Sequence, residues 1–190
     1  MKINTLMEAL YLYLIEPKKA IKRNFDFKYT IIIYLISIFS ISISALYSYN
    51  SSKSIVSILL LTILLSVYII ASNFVKISIT SLIASMLSNH REQNFQIFTK
   101  NYFALYSVYI LLLPITLLFS LSSNLGLIQA IIAFILQIYY LILIFQNIKY
   151  SFKIDNSLKA FVILLSPIIL DFISYIALFL LILGAITKLI

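Results

Sequence analysis

The sequence predicts an all-α, polytopic membrane protein: a bundle of five transmembrane helices preceded by an N-terminal amphipathic helix in the membrane interface. Of the 190 residues, 63% are hydrophobic and 11% are charged, whereas soluble domains carry about 25% charged residues. A small soluble domain leaves too much of its surface exposed to hide this apolar excess. The apolar segments approach or exceed the roughly 20 residues that cross a hydrocarbon core as a helix. They also lack the alternating polarity of barrel strands.

The first 28 residues are predicted to form a cytoplasmic segment that lies on the membrane rather than across it. The apolar run from Ile3 to Ile15 is too short to span, and Asn4, Glu8 and Tyr11 recur on one side at helical spacing. We therefore expect an interfacial helix there. Pro17 suits the first turn of a new helix. A basic cluster that would meet anionic lipid head groups follows it: Lys18, Lys19, Lys22 and Arg23.

Residues 29–190 are predicted to form the membrane domain. The expected spans cover about residues 29–49, 54–76, 102–121, 127–148 and 165–188. The second helical pattern continues beyond its span to about Ser88, and the stretch from His90 to Lys100 is expected to be a polar connection. Pro114 should kink the third span, because proline interrupts the hydrogen-bond ladder of a helix.

The distribution of lysine and arginine orients the spans. With five crossings, these basic residues share one side, predicted to be cytoplasmic: Lys2, Lys18, Lys19, Lys22, Arg23, Lys28, Arg91, Lys100, Lys149, Lys153 and Lys159. The other side receives only Lys53 and Lys188, and Lys76 falls at the cytoplasmic end of the second span. We expect a multi-pass protein of the cytoplasmic membrane with its N-terminus inside and its C-terminus outside. The net charge of +8 then indicates lipid head groups as partners and not nucleic acid.

Asp171 and Lys76 are the first candidates for an intramembrane polar site. A carboxylate inside an apolar span is costly and suggests a function by default. If the last span starts at Lys159, Asp171 lies near mid-membrane; if the chain breaks at Pro167, it lies near the cytoplasmic head groups. The sequence favours the break, because proline is tolerated in a first helical turn. Lys76 would pair with Asp171 between helices, or would extend alone to the interface.

Asn73 and Gln137 complete the candidate intramembrane site. Gln129, Gln137 and Gln146 lie on the fourth span, where bridging between helices is the default role and binding of a polar ligand is the alternative. Two serine stripes at helical spacing predict close helix packing. Their members are Ser37, Ser40, Ser44 and Ser48 in the first span, and Ser78, Ser81, Ser85 and Ser88 after the second. A polar permeation path would use the same residues.

Residues for catalysis and for metal or cofactor binding are missing from the sequence. The chain has no cysteine, and its single histidine, His90, is expected to be solvated in a polar loop. A phosphate-binding loop, a zinc-protease motif and a nucleophile elbow are all absent. We therefore expect neither an enzyme nor a cofactor-binding protein.

From about Glu16 onward, the chain resembles the Yip1 domain family of small five-span membrane proteins. Three places carry the resemblance: Glu16-Pro17-Lys18-Lys19-Ala20 followed by Phe25; Phe95 and Phe98 followed by Tyr102, Tyr106 and Pro114; and Ser157-Leu158-Lys159-Ala160 before the last span. The resemblance implies a membrane-embedded fold with a cytoplasmic N-terminus. In eukaryotic members it implies a role in vesicle traffic, with binding of small GTPases and of other family members.

Two functions are carried forward from the sequence. The first is a Yip1-like, non-enzymatic scaffold that binds partner proteins and forms homo- or hetero-oligomers through its serine-lined faces. The alternative is the membrane subunit of a transporter, or a permease for lipids or small solutes that uses Asp171 and Lys76. A water-accessible cavity that reaches Asp171 favours the alternative, and a sealed bundle favours the scaffold.

Overall fold

The computed structural model describes residues 5–23, 25–49, 55–88, 94–120 and 126–187, and every regular element in these ranges is a helix. The helices are α1 (Leu6–Ile15), α2 (Pro17–Lys22), α3 (Phe27–Tyr49), α4 (Ile55–Leu87), α5 (Asn94–Leu105), α6 (Leu112–Ser120), α7 (Gly126–Ser151) and α8 (Ser157–Thr187). A 3-10 segment, Tyr106–Leu111, joins α5 to α6. The predicted all-α fold class is therefore confirmed for the described part of the chain.

Within the described residues, four helical stretches are long and apolar enough to cross a membrane, where the sequence predicted five. They are Phe27–Leu46, Ile58–Leu87, Phe95–Phe119 and Ala130–Ser151. The second of these is the least covered by the rest of the chain, with 11% of its most apolar window buried. Its outward side chains are large and apolar, among them Leu59, Ile63 and Leu64. Such a surface suits lipid as the solvent.

The helices pack around the third helical path, which runs through α5, the 3-10 segment and α6. This path contacts α3 on one side and α7 on the other, while α4 packs against α3 and α8, and α8 packs against α7. The two short N-terminal helices cover one end of the bundle. There α1 contacts α3, α5 and the 3-10 segment, and α2 contacts α7.

The third helical path starts earlier than the sequence predicted. The prediction made His90 to Lys100 a polar connection and began the span at Tyr102, but residues 94–100 are already helical. The face of this turn that carries Phe98 is fully buried, while Phe95 is half-exposed. The polar residues of this turn interrupt the apolar run, so a search for continuous apolar sequence misses the start of this helix.

Pro114 lies in the first turn of α6, and a serine of α3 compensates for the lost backbone hydrogen bond. A proline has no N–H to donate, so the carbonyl four residues earlier, that of Ile110, loses its helical partner. The Ser40 hydroxyl lies 3.1 Å from this carbonyl oxygen and 3.0 Å from that of Tyr109. It also accepts a 3.1 Å hydrogen bond from the Leu113 N–H. The 3-10 segment lies directly before this point.

The favoured break at Pro167 is wrong, because α8 continues through this proline. Here the carbonyl deprived of its partner is that of Ile163, and the hydroxyl of the neighbouring Ser166 donates to it at 2.8 Å. Serine hydroxyls are one of the groups that let transmembrane helices tolerate proline. The residues 157–160, which the resemblance placed before the last span, form the first turn of α8.

The N-terminal segment is docked on the bundle through buried polar contacts. The Tyr13 side chain is fully buried, and its hydroxyl donates a 2.7 Å hydrogen bond to the Asn101 amide oxygen. The Asn101 amide nitrogen donates to the Ile21 carbonyl at 3.1 Å, and Lys100 Nζ donates to the Phe25 carbonyl at 2.8 Å. These contacts fix α1 and α2 to α5. The interfacial position itself stays a prediction.

The serine stripe of α3 serves packing inside the chain. Ser37, Ser40 and Ser44 are all buried at 4% exposure or less, so this face is not available to a second copy. The stripe of α4 is not uniformly buried, since Ser78 is exposed while Ser81 is buried. Some predicted residues have side chains outside the described part of the chain: Lys2, Asn4, Ser48, Lys53, His90, Arg91, Gln129 and Lys188.

Candidate functional site

A cavity of about 220 Å³ lies inside the helical bundle, and all four residues of the predicted intramembrane site line it. Asn73 and Lys76 come from α4, Gln137 from α7 and Asp171 from α8. The remaining wall includes Ile41 of α3 and residues of the third helical path. Residues far apart in the sequence therefore converge on one partly open cavity with both polar and apolar walls.

Two charged residues of the cavity wall form an ion pair that joins α4 to α8. Lys76 Nζ contacts the Asp171 carboxylate directly, with side-chain exposures of 13% and 34%. One turn along α4, the Thr80 and Ser166 hydroxyls lie 3.3 Å apart and join the same two helices. The pairing expected between Lys76 and Asp171 is thus present, and Lys76 does not extend alone to an interface.

The position of Asp171 follows from the unbroken α8. Fourteen residues separate it from Ser157, where α8 begins, which is about 21 Å at 1.5 Å per residue. Because α8 is not interrupted at Pro167, Asp171 lies well inside the helix and not in its first turn. Pro167 and Ile168 lie beside it on the cavity wall.

The Asn73 side chain connects α4 to α3 and to the 3-10 segment through hydrogen bonds. This side chain is fully buried, so both ends of the amide need partners. The amide nitrogen donates a 2.9 Å hydrogen bond to the Tyr34 hydroxyl of α3, and the amide oxygen accepts a 2.6 Å hydrogen bond from the Tyr106 hydroxyl. With both ends engaged, Asn73 supports the cavity wall and is not free to bind a ligand.

A cluster of four tyrosines forms much of the cavity floor: Tyr102, Tyr106, Tyr109 and Tyr140. Neighbouring ring centroids are 5.0–6.1 Å apart, within the range of tilted and edge-to-face aromatic pairs. The Tyr109 hydroxyl donates to the Gln137 amide oxygen. Gln137 therefore bridges α7 to the 3-10 segment, which is the default role that the sequence assigned to it.

The Tyr140 hydroxyl is buried and makes no hydrogen bond to the described residues. The Tyr102 side chain lies close enough to interact with it. A buried hydroxyl without a partner costs free energy. Since Tyr140 lines the cavity, a polar molecule in the cavity would supply the missing partner.

The tyrosine cluster was not assigned to the site from the sequence, although a signal was present. Tyr102, Tyr106 and Tyr109 follow one another at steps of four and three residues, so a helical path places them on one face. Their pairing with Tyr140 depends on the approach of α7, which spacing alone does not reveal. Among the described residues, no group of three or more histidine, cysteine, aspartate or glutamate side chains is arranged to hold a metal ion.

The predicted basic cluster lies on α2, away from the cavity. Lys18, Lys19 and Lys22 are exposed, and Lys19 Nζ lies 2.8 Å from the Glu16 carboxylate. The hydrogen bond and the charge of Glu16 raise the pKa of Lys19 above its ordinary value. Arg23 Nη1 lies 2.7 Å from the Glu8 carboxylate, which clamps α1 to the end of α2. This cluster is therefore partly occupied by contacts within the chain.

Comparison with known proteins does not place the chain in a family. No family model, no curated protein and no solved structure matches it. The resemblance to the Yip1 domain accordingly stays a prediction that rests on the sequence motifs.

Proposed function

We propose that this chain is a membrane-embedded permease, or the membrane subunit of a transporter, whose cavity takes up a small polar solute. The observation that carries the proposal is the Lys76–Asp171 ion pair on the wall of a polar cavity. Ionisable groups are costly between apolar helices, and they commonly mark a substrate or ion path when they face a cavity. This cavity favours transport over the scaffold that the sequence ranked first.

The proposal includes five crossings, with the N-terminus in the cytoplasm and the C-terminus outside. The length of α8 supports the fifth crossing: 31 residues extend about 46 Å at 1.5 Å per residue, more than the roughly 30 Å of a hydrocarbon core. The clustering of lysine and arginine supports the orientation. In this arrangement the cavity lies within the bundle, with the ion pair more than a turn from either end of α8.

Uptake by proteoliposomes tests the proposal. The full chain is reconstituted into liposomes, and the entry of a panel of labelled small polar solutes is measured: amino acids, amines, carboxylates and polyols. We expect saturable uptake of at least one class. The double variant Lys76→Met/Asp171→Asn should abolish this uptake, because it removes both charges of the cavity wall without leaving either one unpaired.

A matched control separates loss of the site from loss of the fold. The variant Thr80→Val removes a polar contact between the same two helices, keeps the Ser166 hydroxyl that satisfies the Ile163 carbonyl, and changes a residue that does not line the cavity. It should keep its uptake. Equal uptake by wild-type protein, the cavity variant and empty liposomes across the panel would refute the transport function.

A partner-binding scaffold is the second candidate function, and the outward face of α1 favours it. Met7, Tyr11 and Ile15 are 58–74% exposed and lie at four-residue steps on one side of this helix. A Yip1-like protein with such a face would bind lipid or a partner helix there. Affinity purification of the tagged protein in mild detergent tests this candidate. A reproducible, near-stoichiometric partner that is lost in a Met7→Ser/Ile15→Ser variant supports it, and recovery of the chain without a partner opposes it.

A further inference from the structure

The chemical class of the solute follows from the electrostatics of the cavity wall, and this inference rests on the proposed function. We propose that the cavity binds a small zwitterion, a molecule with one ammonium and one carboxylate group, which inserts between Lys76 and Asp171. The carboxylate of the solute would pair with the Lys76 ammonium, and its ammonium group would pair with the Asp171 carboxylate.

The need for two opposite charges comes from the ion pair itself. Lys76 and Asp171 neutralise each other in a partly buried position, and removal of one partner from such a pair leaves an uncompensated charge, which costs free energy. A simple cation that displaced Lys76 from Asp171 would leave Lys76 unpaired, and a simple anion would leave Asp171 unpaired. Only a solute that carries both charges replaces both partners.

The surroundings of the pair suit the two ends of such a solute. The tyrosine cluster supplies aromatic rings that attract an ammonium group, and the buried Tyr140 hydroxyl lacks a hydrogen-bond partner among the described residues. A carboxylate oxygen in the cavity would accept a hydrogen bond from this hydroxyl. One molecule would therefore satisfy the ion pair and the tyrosine together.

The cavity also limits the size of the solute. Its volume of about 220 Å³ is below the roughly 300–1,000 Å³ of pockets that hold drug-sized ligands. A zwitterion of the size of glycine, β-alanine or 4-aminobutyrate is appropriate. The distance between the two charges differs among these three compounds, so their relative affinities report how far the pair opens.

Binding to the purified full chain in detergent tests the inference. The affinities of the three zwitterions are measured by calorimetry and by the shift in thermal unfolding midpoint, beside an equimolar mixture of methylammonium and acetate. We expect at least one zwitterion to bind and to raise the midpoint, and the mixture to do neither. The double variant Lys76→Met/Asp171→Asn should lose at least tenfold in affinity, while Thr80→Val should bind as the wild type does.

Three outcomes would overturn the inference. These are equal binding of the separate ions and the zwitterions, unchanged affinity in the double variant, and no binding of any of the three zwitterions by a folded wild-type protein. The uptake panel distinguishes this failure from failure of the proposed function. If liposomes still take up a neutral or singly charged solute, the transport function stands and only the zwitterion assignment is wrong.

Discussion

The ion pair between α4 and α8 makes a quantitative prediction about stability. Replacement of one partner, as in Asp171→Asn or Lys76→Met, leaves the other charge without its counterion. Loss of one partner costs about 3–5 kcal/mol for a fully buried pair, whereas an exposed pair is worth about 0–1 kcal/mol. With exposures of 13% and 34%, this pair lies between the two cases, and we expect a coupling free energy of about 2 kcal/mol.

A double-mutant cycle measures this coupling directly. Thermal unfolding midpoints in detergent are compared for wild type, the two single variants and the double variant. For a chain of this size, about 1 kcal/mol corresponds to roughly 2–4 °C, so the coupling corresponds to about 4–8 °C. The double variant should be less destabilised than the sum of the single variants. Additivity within about 0.5 kcal/mol would show that the two charges do not stabilise each other and would refute this reasoning.

Two further predictions concern the end of the bundle covered by α1 and α2. The variant Tyr13→Phe removes the hydroxyl that satisfies Asn101 and should lower the free energy of unfolding by about 1–3 kcal/mol; the exposed Tyr11→Phe should change it by less than about 0.5 kcal/mol, and equal effects would contradict the docked α1. Glu16→Gln should lower the pKa of Lys19, because Glu16 is the main cause of its raised value. On the alkaline side, the Lys19–Glu16 pair is lost as the pH rises through the raised pKa of Lys19. Lysine side-chain NMR against pH measures this shift, and an unchanged pKa would contradict the assigned cause.

The four residues of the candidate site could be singled out from the sequence because charged and amide side chains are rare in the apolar stretches. Asn73, Lys76, Gln137 and Asp171 each interrupt an apolar stretch, and the structure brings all four to one cavity. The tyrosines of the floor gave a weaker signal, since tyrosine is also common at membrane interfaces. Their assignment to the site required the relative placement of α5 and α7.

One predicted element was wrong because a side-chain hydroxyl replaces a missing backbone donor, and one contact was not predicted because it joins side chains far apart in the sequence. Proline at position 167 suggested a helix end, but the hydroxyl of Ser166 satisfies the Ile163 carbonyl and the helix continues. The docking of α1 depends on the Tyr13–Asn101 hydrogen bond, whose partners are 88 residues apart. Helical periodicity in a single sequence contains no information about such a pairing.

Access of water to the cavity tests the central claim most directly. The chain has no cysteine, so Ser72→Cys introduces a single thiol on the cavity wall. Ile63→Cys is the control, since Ile63 is exposed on the apolar outer face of α4. We predict that in proteoliposomes a membrane-impermeant thiol reagent labels the Ser72→Cys variant and leaves the Ile63→Cys variant unlabelled. If the Ser72→Cys variant is labelled from neither side of the membrane although the protein is folded, the cavity is sealed, and the account of a solute-binding site is wrong.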